Sequence, residues 1–140
     1  FIELMETGEN RAYFDKHHLS GDVLVKKLVD SGWSETARDA LGGPARVWKH
    51  PNQEGSVGLI APYSRDFCTT CNRLRVSAKG GLHLCLFGDG GHDLRPLLQR
   101  DSDKETLKDT VCELLDLKVA GHGLHDRHTG ATPHFASIGG

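Results

Sequence analysis

The stretch Cys68-Thr69-Thr70-Cys71-Asn72-Arg73-Leu74-Arg75-Val76-Ser77-Ala78-Lys79-Gly80-Gly81-Leu82-His83-Leu84-Cys85-Leu86-Phe87 decides how the chain is read. Apolar and polar residues alternate on both sides of Lys79-Gly80-Gly81, the pattern of two strands joined by a tight turn. Leu74, Val76 and Ala78 share one face of the first strand, with Arg73, Arg75 and Ser77 on the other. Leu82, Leu84 and Leu86 share a face of the return strand, opposite His83, Cys85 and Phe87. The apolar faces must coincide to be buried together. A two-residue loop at Gly80-Gly81 mixes the faces. A three-residue loop, Lys79-Gly80-Gly81, pairs Ala78 with Leu82, Val76 with Leu84 and Arg75 with Cys85. Such loops place a glycine in the left-handed region, so this is the expected register.

In that register Cys85 lies beside Arg73 and Arg75, with Cys71 just ahead of the strand. Three thiols and two guanidiniums then share one face. Thiolates hold iron–sulfur clusters, and three of them on a four-iron cluster leave one iron open to a substrate atom. Guanidinium forks suit phosphate. A structural zinc site is equally served by the spacing, with His83, His50 or His92 as a fourth ligand to Cys68, Cys71 and Cys85. Two disulfides among the four cysteines are the weaker reading: nothing marks the chain as secreted, and a C-x-x-C pair in a reducing compartment serves metal or redox chemistry.

Outward from the hairpin, the composition is that of an ordinary globular chain. Its 140 residues are 37% hydrophobic and 26% charged, with a net charge of −2. This balance argues against broad nucleic-acid binding but leaves room for a small anion held by local arginines. No run approaches the roughly 18 apolar residues of a membrane span. Phe1-Ile2-Glu3-Leu4-Met5 reads as a strand with nothing ahead of it to cap or pair it, so the chain is expected to begin within a longer protein.

Thr7 to Asn10 reads as a turn. Ser20-Gly21-Asp22 leads into a helix with Val23, Leu24, Leu28 and Val29 on one face, ended by Ser31-Gly32. Leu41-Gly42-Gly43-Pro44 is the expected boundary, dividing residues 1–43 from 44–140. Beyond it, strands are expected over Arg46 to His50 and Ser56 to Ala61 around a turn at Pro51 to Gly55. A loop from Pro62 to Phe67 leads to Cys68. After the hairpin, Gly88 to Gly91 is a flexible break. Leu94, Leu97 and Leu98 suggest a short helix. Asp103 to Lys118 suggests a longer one, with Leu107, Val111, Leu114 and Leu115 inward and Cys112 a small buried hydrophobe. The tail from Gly121 has no period. Trp33 and Trp48 are packing residues, His17 and His18 surface or cap residues, and His122, His125, His128 and His134 a solvated loop.

Asp66-Phe67-Cys68-Thr69-Thr70-Cys71-Asn72-Arg73-Leu74-Arg75 resembles the DFC-x-x-CNRLR segment of the GTP 3′,8-cyclase family (molybdenum cofactor biosynthesis protein A) of radical S-adenosylmethionine enzymes. Leu82 to Gly88, Phe1 to Met5, His17 to Gly21 and the terminal Gly139-Gly140 carry the same resemblance. It implies an α/β fold: the last strand-helix unit of an incomplete TIM-type barrel in residues 1–43, then an α+β cluster-binding region in 44–140. It implies that Cys68, Cys71 and Cys85 ligate a second 4Fe-4S cluster whose free iron takes the guanine base. Arg73, Leu74 and Arg75 would contact GTP, Met5 would line the S-adenosylmethionine site, and Gly139 and Gly140 would reach the active site.

The resemblance further implies a cytoplasmic lyase, homodimeric when intact. A first 4Fe-4S cluster on a C-x-x-x-C-x-x-C motif would cleave S-adenosylmethionine. The resulting radical would take hydrogen from the ribose 3′ carbon of GTP, which closes onto C8. Cyclic pyranopterin monophosphate synthase would take the product onward. The C-x-x-x-C-x-x-C motif is absent from these 140 residues, which alone are therefore expected to make no radical. The competing functions are a non-catalytic zinc module with a protein or RNA partner, and another radical enzyme with an auxiliary cluster.

Overall fold

The computed structural model describes residues 1–39, 42–69, 71–131 and 134–138. Chain contacts group into two compact units, Phe1–Met5 with Ala12–Cys71, and Glu6–Arg11 with Asn72–Gly140. Leu41 of the expected boundary and the terminal Gly139 and Gly140 lie outside the described residues. The architecture is mixed: three α-helices, short 3₁₀ turns and two three-stranded antiparallel sheets among the described residues.

The first unit holds most of helix α1 (Arg11–His17), helix α2 (Gly21–Asp30) and strands β1 (Ser34–Glu35), β2 (Arg46–Lys49) and β3 (Val57–Leu59). Ser20 caps α2, its hydroxyl accepting from Asp22 N at 3.2 Å, as the Ser-Gly-Asp signal predicts. Gly21 is where the helix meets its neighbours: a Cβ there would stand 2.9 Å from the Cβ of Ala61. The inward face of α2 differs from the expected one. Leu28 is buried with Trp48, Leu59 and Ala61, and Leu24 and Val25 pack against them, while Val23 and Val29 are exposed. At 100° per residue, Gly21, Leu24, Val25 and Leu28 span one arc, and Val23 and Val29 fall on either side of it.

Trp48 is 1% exposed and Trp33 packs beside it, so both act as packing residues. Phe1–Met5 does not form the expected strand. It makes a single parallel bridge, Ile2 to Ile60, with Glu3 N donating to Ile60 O at 2.9 Å and Ile60 N to Phe1 O at 3.0 Å. The chain passes from Met5 into the second unit at Glu6, before a ladder can extend. His18 is neither a bare surface nor a cap residue: its Nε2 lies 2.9 Å from the buried Glu3 carboxylate, and its ring stacks on Phe14.

The second unit holds β4 (Arg75–Val76), β5 (Gly81–His83), β6 (His92–Asp93) and α3 (Lys104–Leu115). The pattern from Arg73 to Phe87 thus shortens to two brief strands, and the Gly88 to Gly91 break leads into a third that the sequence does not announce. Leu82, Leu84 and Leu94 form the core, covered by Leu107, Val111 and Leu114. Burying such leucines contributes about 1.5–3 kcal/mol each. Leu115 and Cys112 are exposed, against expectation. Cys112 follows Val111 by 100° of helical turn, which carries it off the 107–111–114 stripe.

Leu74, Val76 and Ala78, expected on a buried face, are exposed, Val76 by 56%. They belong to the edge strand and its flanks, while the core forms under the central strand β5. The Leu94–Leu98 helix is a 3₁₀ turn over Arg95–Leu98.

A buried carboxylate ties the irregular C-terminal part to this unit. Glu6, 1% exposed, accepts from Arg11 Nε at 2.8 Å and from Arg127 Nε at 3.1 Å. Arg127 is the one non-glycine residue with positive φ among those described, at 59°, and closes a 3₁₀ turn (Leu124–Asp126) whose Leu124 is buried. Burial pushes the Glu6 carboxyl up, but its hydrogen bonds and charge pairing with Arg127 and Arg11 outweigh this and hold it below the usual carboxylate range. A depressed carboxyl stabilises above its ordinary value of about 4.3, and that stabilisation is lost as pH falls through the lower, folded-state value. Glu6→Gln is therefore expected to cost about 1–2 kcal/mol at pH 7, discounted for the solvent-facing arginines. Thermal melts followed by circular dichroism should show the gap from the parent protein closing on acidification below about pH 4. A gap that is constant with pH would mean that the charge contributes nothing.

Candidate functional site

Cys68 and Cys71 stand at the two ends of one turn. A succession of such turns carries the chain there: Ser64 N donates to Ala61 O at 3.0 Å, Phe67 N to Ser64 O at 3.2 Å, Thr69 N to Asp66 O at 3.3 Å and Cys71 N to Cys68 O at 3.1 Å. The hydroxyls of Ser64 and Thr69 reinforce the first and third of these, each donating at 2.8 Å to the same carbonyl as its own N–H. Small hydroxylated residues hold a chain in this form because they satisfy carbonyls that no sheet reaches. Both thiols are half-buried, and Cys71 is in no disulfide.

The β4–β5 register corrects the expected one. Arg75 pairs with His83 and Val76 with Leu82, and Ser77 N donates to Gly81 O at 2.9 Å. The loop is three residues long, as expected, but it is Ala78-Lys79-Gly80 and not Lys79-Gly80-Gly81. Gly80 takes the left-handed position with φ 79°, and a Cβ on it would meet the Arg95 backbone at 3.3 Å. Gly81 N donates to the Ser77 hydroxyl oxygen at 3.1 Å, locking the turn one residue earlier. Both registers keep apolar opposite apolar, so face matching does not distinguish them.

Arg75 is half-buried and faces His83; Arg73 and Leu74 are exposed. Burial depresses the His83 imidazole below its ordinary value, and the Arg75 and His92 charges act in the same direction. His83 is thus neutral at pH 7 and able both to donate and to accept. Continuing the register past Arg75–His83 brings Arg73, in place of Arg75, level with Cys85. There the ladder has ended and the chain bends at Leu84. Lys118 Nζ spans the gap, donating to Arg73 O at 3.1 Å and to Leu84 O.

Cys85 is half-buried and in no disulfide, and its Sγ lies 3.5 Å from the Phe87 N–H that donates to it. It lines a cavity of about 280 Å³ together with Asp89, His92, Val119, His122 and His128. His122 is more than a solvated loop residue: its ring meets Phe87 edge-on at 5.2 Å, and its Nδ1 accepts from Leu124 N at 3.2 Å. His128 Nε2 lies 2.9 Å from Asp89 Oδ1.

Of the expected site residues, the hairpin pairs Arg75 with His83, and Lys118 Nζ ties the carbonyl of Arg73 to that of Leu84, the residue before Cys85. Cys68, Cys71 and the half-buried Met5 belong to the first unit, whereas Arg73, Leu74, Arg75 and Cys85 belong to the second. Gly139 and Gly140 lie outside the described residues. Among the described residues no group of three or more His, Cys, Asp or Glu side chains is gathered to hold a metal ion. Lys118 enters the sequence reading only as the end of the expected helix, and Glu6 and Arg127 have no part in it. Apart from Arg11, five residues from Glu6, their partners lie 34 to 121 residues away, and no local pattern marks them.

Among the described residues no helix is long and apolar enough to cross a membrane. The model of the family Molybdenum Cofactor Synthesis C matches residues 1–124. The chain is 61% identical over 140 residues to a protein of Stenotrophomonas maltophilia (strain K279a) named GTP 3',8-cyclase, covering 100% of this chain and 43% of that relative. Proteins of the same name from Psychromonas ingrahamii and Aeromonas hydrophila are 52% and 53% identical over 140 residues, with 100% of this chain and 41% of each relative covered. The chain therefore spans about two fifths of the length of these relatives. With a family match that runs through both sheets and all three helices, the chain belongs to the Molybdenum Cofactor Synthesis C family.

Proposed function

We propose that this chain is the C-terminal, substrate-holding part of a GTP 3′,8-cyclase, a radical S-adenosylmethionine lyase that converts GTP to (8S)-3′,8-cyclo-7,8-dihydroguanosine 5′-triphosphate in molybdenum cofactor biosynthesis. Residues 1–43 are read as the end of an incomplete TIM-type barrel and 44–140 as the cluster- and GTP-binding region. Cys68, Cys71 and Cys85 hold a 4Fe-4S cluster. When bound, a cluster on three thiolates supplies one iron without a protein ligand, a Lewis-acid position for a nitrogen or oxygen of the base. Arg73 and Arg75 place their guanidiniums against the triphosphate, and Leu74 contacts the nucleotide between them. Met5 lines the S-adenosylmethionine site, and Gly139-Gly140 approaches the ligand closely because it has no side chains. The intact protein is read as a cytoplasmic homodimer that passes its product to cyclic pyranopterin monophosphate synthase.

The observation that carries this reading is the hairpin, in which Arg75 pairs with His83 and Lys118 Nζ ties Arg73 O to the O of Leu84, the residue before Cys85. The donor set suits thiolate ligation: Cys71 and Cys85 are in no disulfide, and a backbone N–H already points at the Cys85 sulfur, the kind of hydrogen bond that stabilises a cluster-bound thiolate. The names of the relatives supply the substrate.

Anaerobic reconstitution of the protein with iron and sulfide tests the reading. The expected result is a brown species in which substitution of these cysteines removes about four irons per chain. A colourless protein carrying tetrahedral zinc on the same cysteines would replace it with a structural zinc module.

A further inference from the structure

We infer that Lys118 is a positioning residue for GTP, acting through Arg73; this rests on the functional reading above. The ammonium donates to two carbonyls on opposite sides of the hairpin, Arg73 O at 3.1 Å and Leu84 O. It does so where the β4–β5 ladder has stopped, Arg73 lying two residues before Arg75 and Leu84 one residue after His83. Backbone carbonyls left without a ladder partner need a donor, and one ammonium with three N–H groups can serve both strands at once. Lys118 thus replaces the missing rungs between Arg73 and Leu84, the residue before Cys85.

The same residue places a wall. Leu117 and Val119, its immediate neighbours, line the cavity beside Cys85, together with Leu84, Gly121 and His122. Lys118 lies just past the end of α3, whose Leu107, Val111 and Leu114 are seated on the Leu82–Leu84 core. A rigid helix therefore fixes one end of the tie and the hairpin the other. Arg73 is exposed, and the tether at its own carbonyl fixes the backbone from which its guanidinium reaches out. Holding a charged fork in place before the ligand arrives removes part of the ordering cost of binding.

The decisive measurement is a double-mutant cycle on GTP affinity in the reconstituted holoenzyme, with iron content followed in parallel. Lys118→Met keeps the aliphatic stem and removes the donors. It is expected to weaken GTP about tenfold when Arg73 is present and less than about twofold in the Arg73→Ala background, since coupled residues are non-additive. Equal losses in both backgrounds, or none, would overturn the proposal. Lys118→Arg, which retains donors for both carbonyls, is expected to bind within about threefold of the parent. Should Lys118→Met lose its cluster, this variant carries the test, and a tenfold weakening in it would overturn the role. A parent protein that binds neither cluster nor GTP would instead reject the functional reading on which the inference rests.

Discussion

Cys85→Ala is expected to leave reconstitution without the cluster that the chain is proposed to hold, a loss of about four irons per chain. Three thiolates are the whole protein ligand set in this reading. Removing one leaves two corners of the cluster without protein ligands, and the C-x-x-C turn alone cannot retain it. The position allows no substitute. Cys85 is half-buried beside a cavity, and its sulfur already accepts the Phe87 N–H at 3.5 Å. Alanine removes the ligand and leaves that N–H without its acceptor. Serine keeps an acceptor but offers a far less acidic hydroxyl, so Cys85→Ser is expected to retain little iron as well.

The informative control is Cys112→Ala. Cys112 is exposed on α3, off the stripe formed by Leu107, Val111 and Leu114, and its loss should leave iron content unchanged. Iron and sulfide assays with the visible absorbance spectrum read both variants. Full iron in Cys85→Ala would remove Cys85 from the ligand set.

Arg75→Ala is expected to weaken GTP binding about 10- to 150-fold with the cluster intact, the equivalent of about 1.5–3 kcal/mol for one charge-assisted contact. Arg75 suits the role better than its exposure in the sequence pattern suggests. It is half-buried in β4 and paired with His83 on β5, so its backbone is held by the ladder. The facing imidazole is kept neutral by burial, by Arg75 itself and by His92, so the guanidinium has no cationic competitor directly across the strand pair. Arg75→Lys is expected to fall between parent and alanine, because an ammonium keeps the charge but cannot form the planar two-point fork. Equilibrium dialysis with GTP and iron analysis on the same samples separate lost substrate affinity from lost cluster. Unchanged affinity in both variants would reject a phosphate-binding role for Arg75.

Neither substitution at Arg75 should alter the core. Leu82, Leu84 and Leu94 are buried under α3, on the sheet face opposite to the one that carries Arg75 and His83. The alternation of the hairpin is what separates the two tasks. One face builds the unit and the other is left to chemistry.

Much of that division is legible in the residues themselves. Alternation from Leu74 to Leu86 demands even parity between the strands, and the structure keeps it. Ser20 before an apolar-periodic segment announces the start of α2, and the run from Asp103 onward announces α3. The loop expected from Pro62 to Phe67 is a run of turns, Ser64 N on Ala61 O at 3.0 Å and Phe67 N on Ser64 O at 3.2 Å. These features depend on backbone restrictions acting within a few residues, and such restrictions are written locally.

The tertiary structure alone decided the rest. Two registers of equal parity were open, and the seat of Gly80 against Arg95, with the Ser77 hydroxyl on Gly81 N, selects the one that pairs Arg75 with His83. Cys112 and Val76 are apolar by composition but exposed, because helix phase and an edge position outweigh hydrophobicity. Glu6 finds Arg127 across 121 residues, and Lys118 finds Arg73 across 45 and Leu84 across 34. A charged side chain reads in sequence as solvated surface, and its partner is chosen only when packed helices and sheets bring distant chain segments within hydrogen-bond reach.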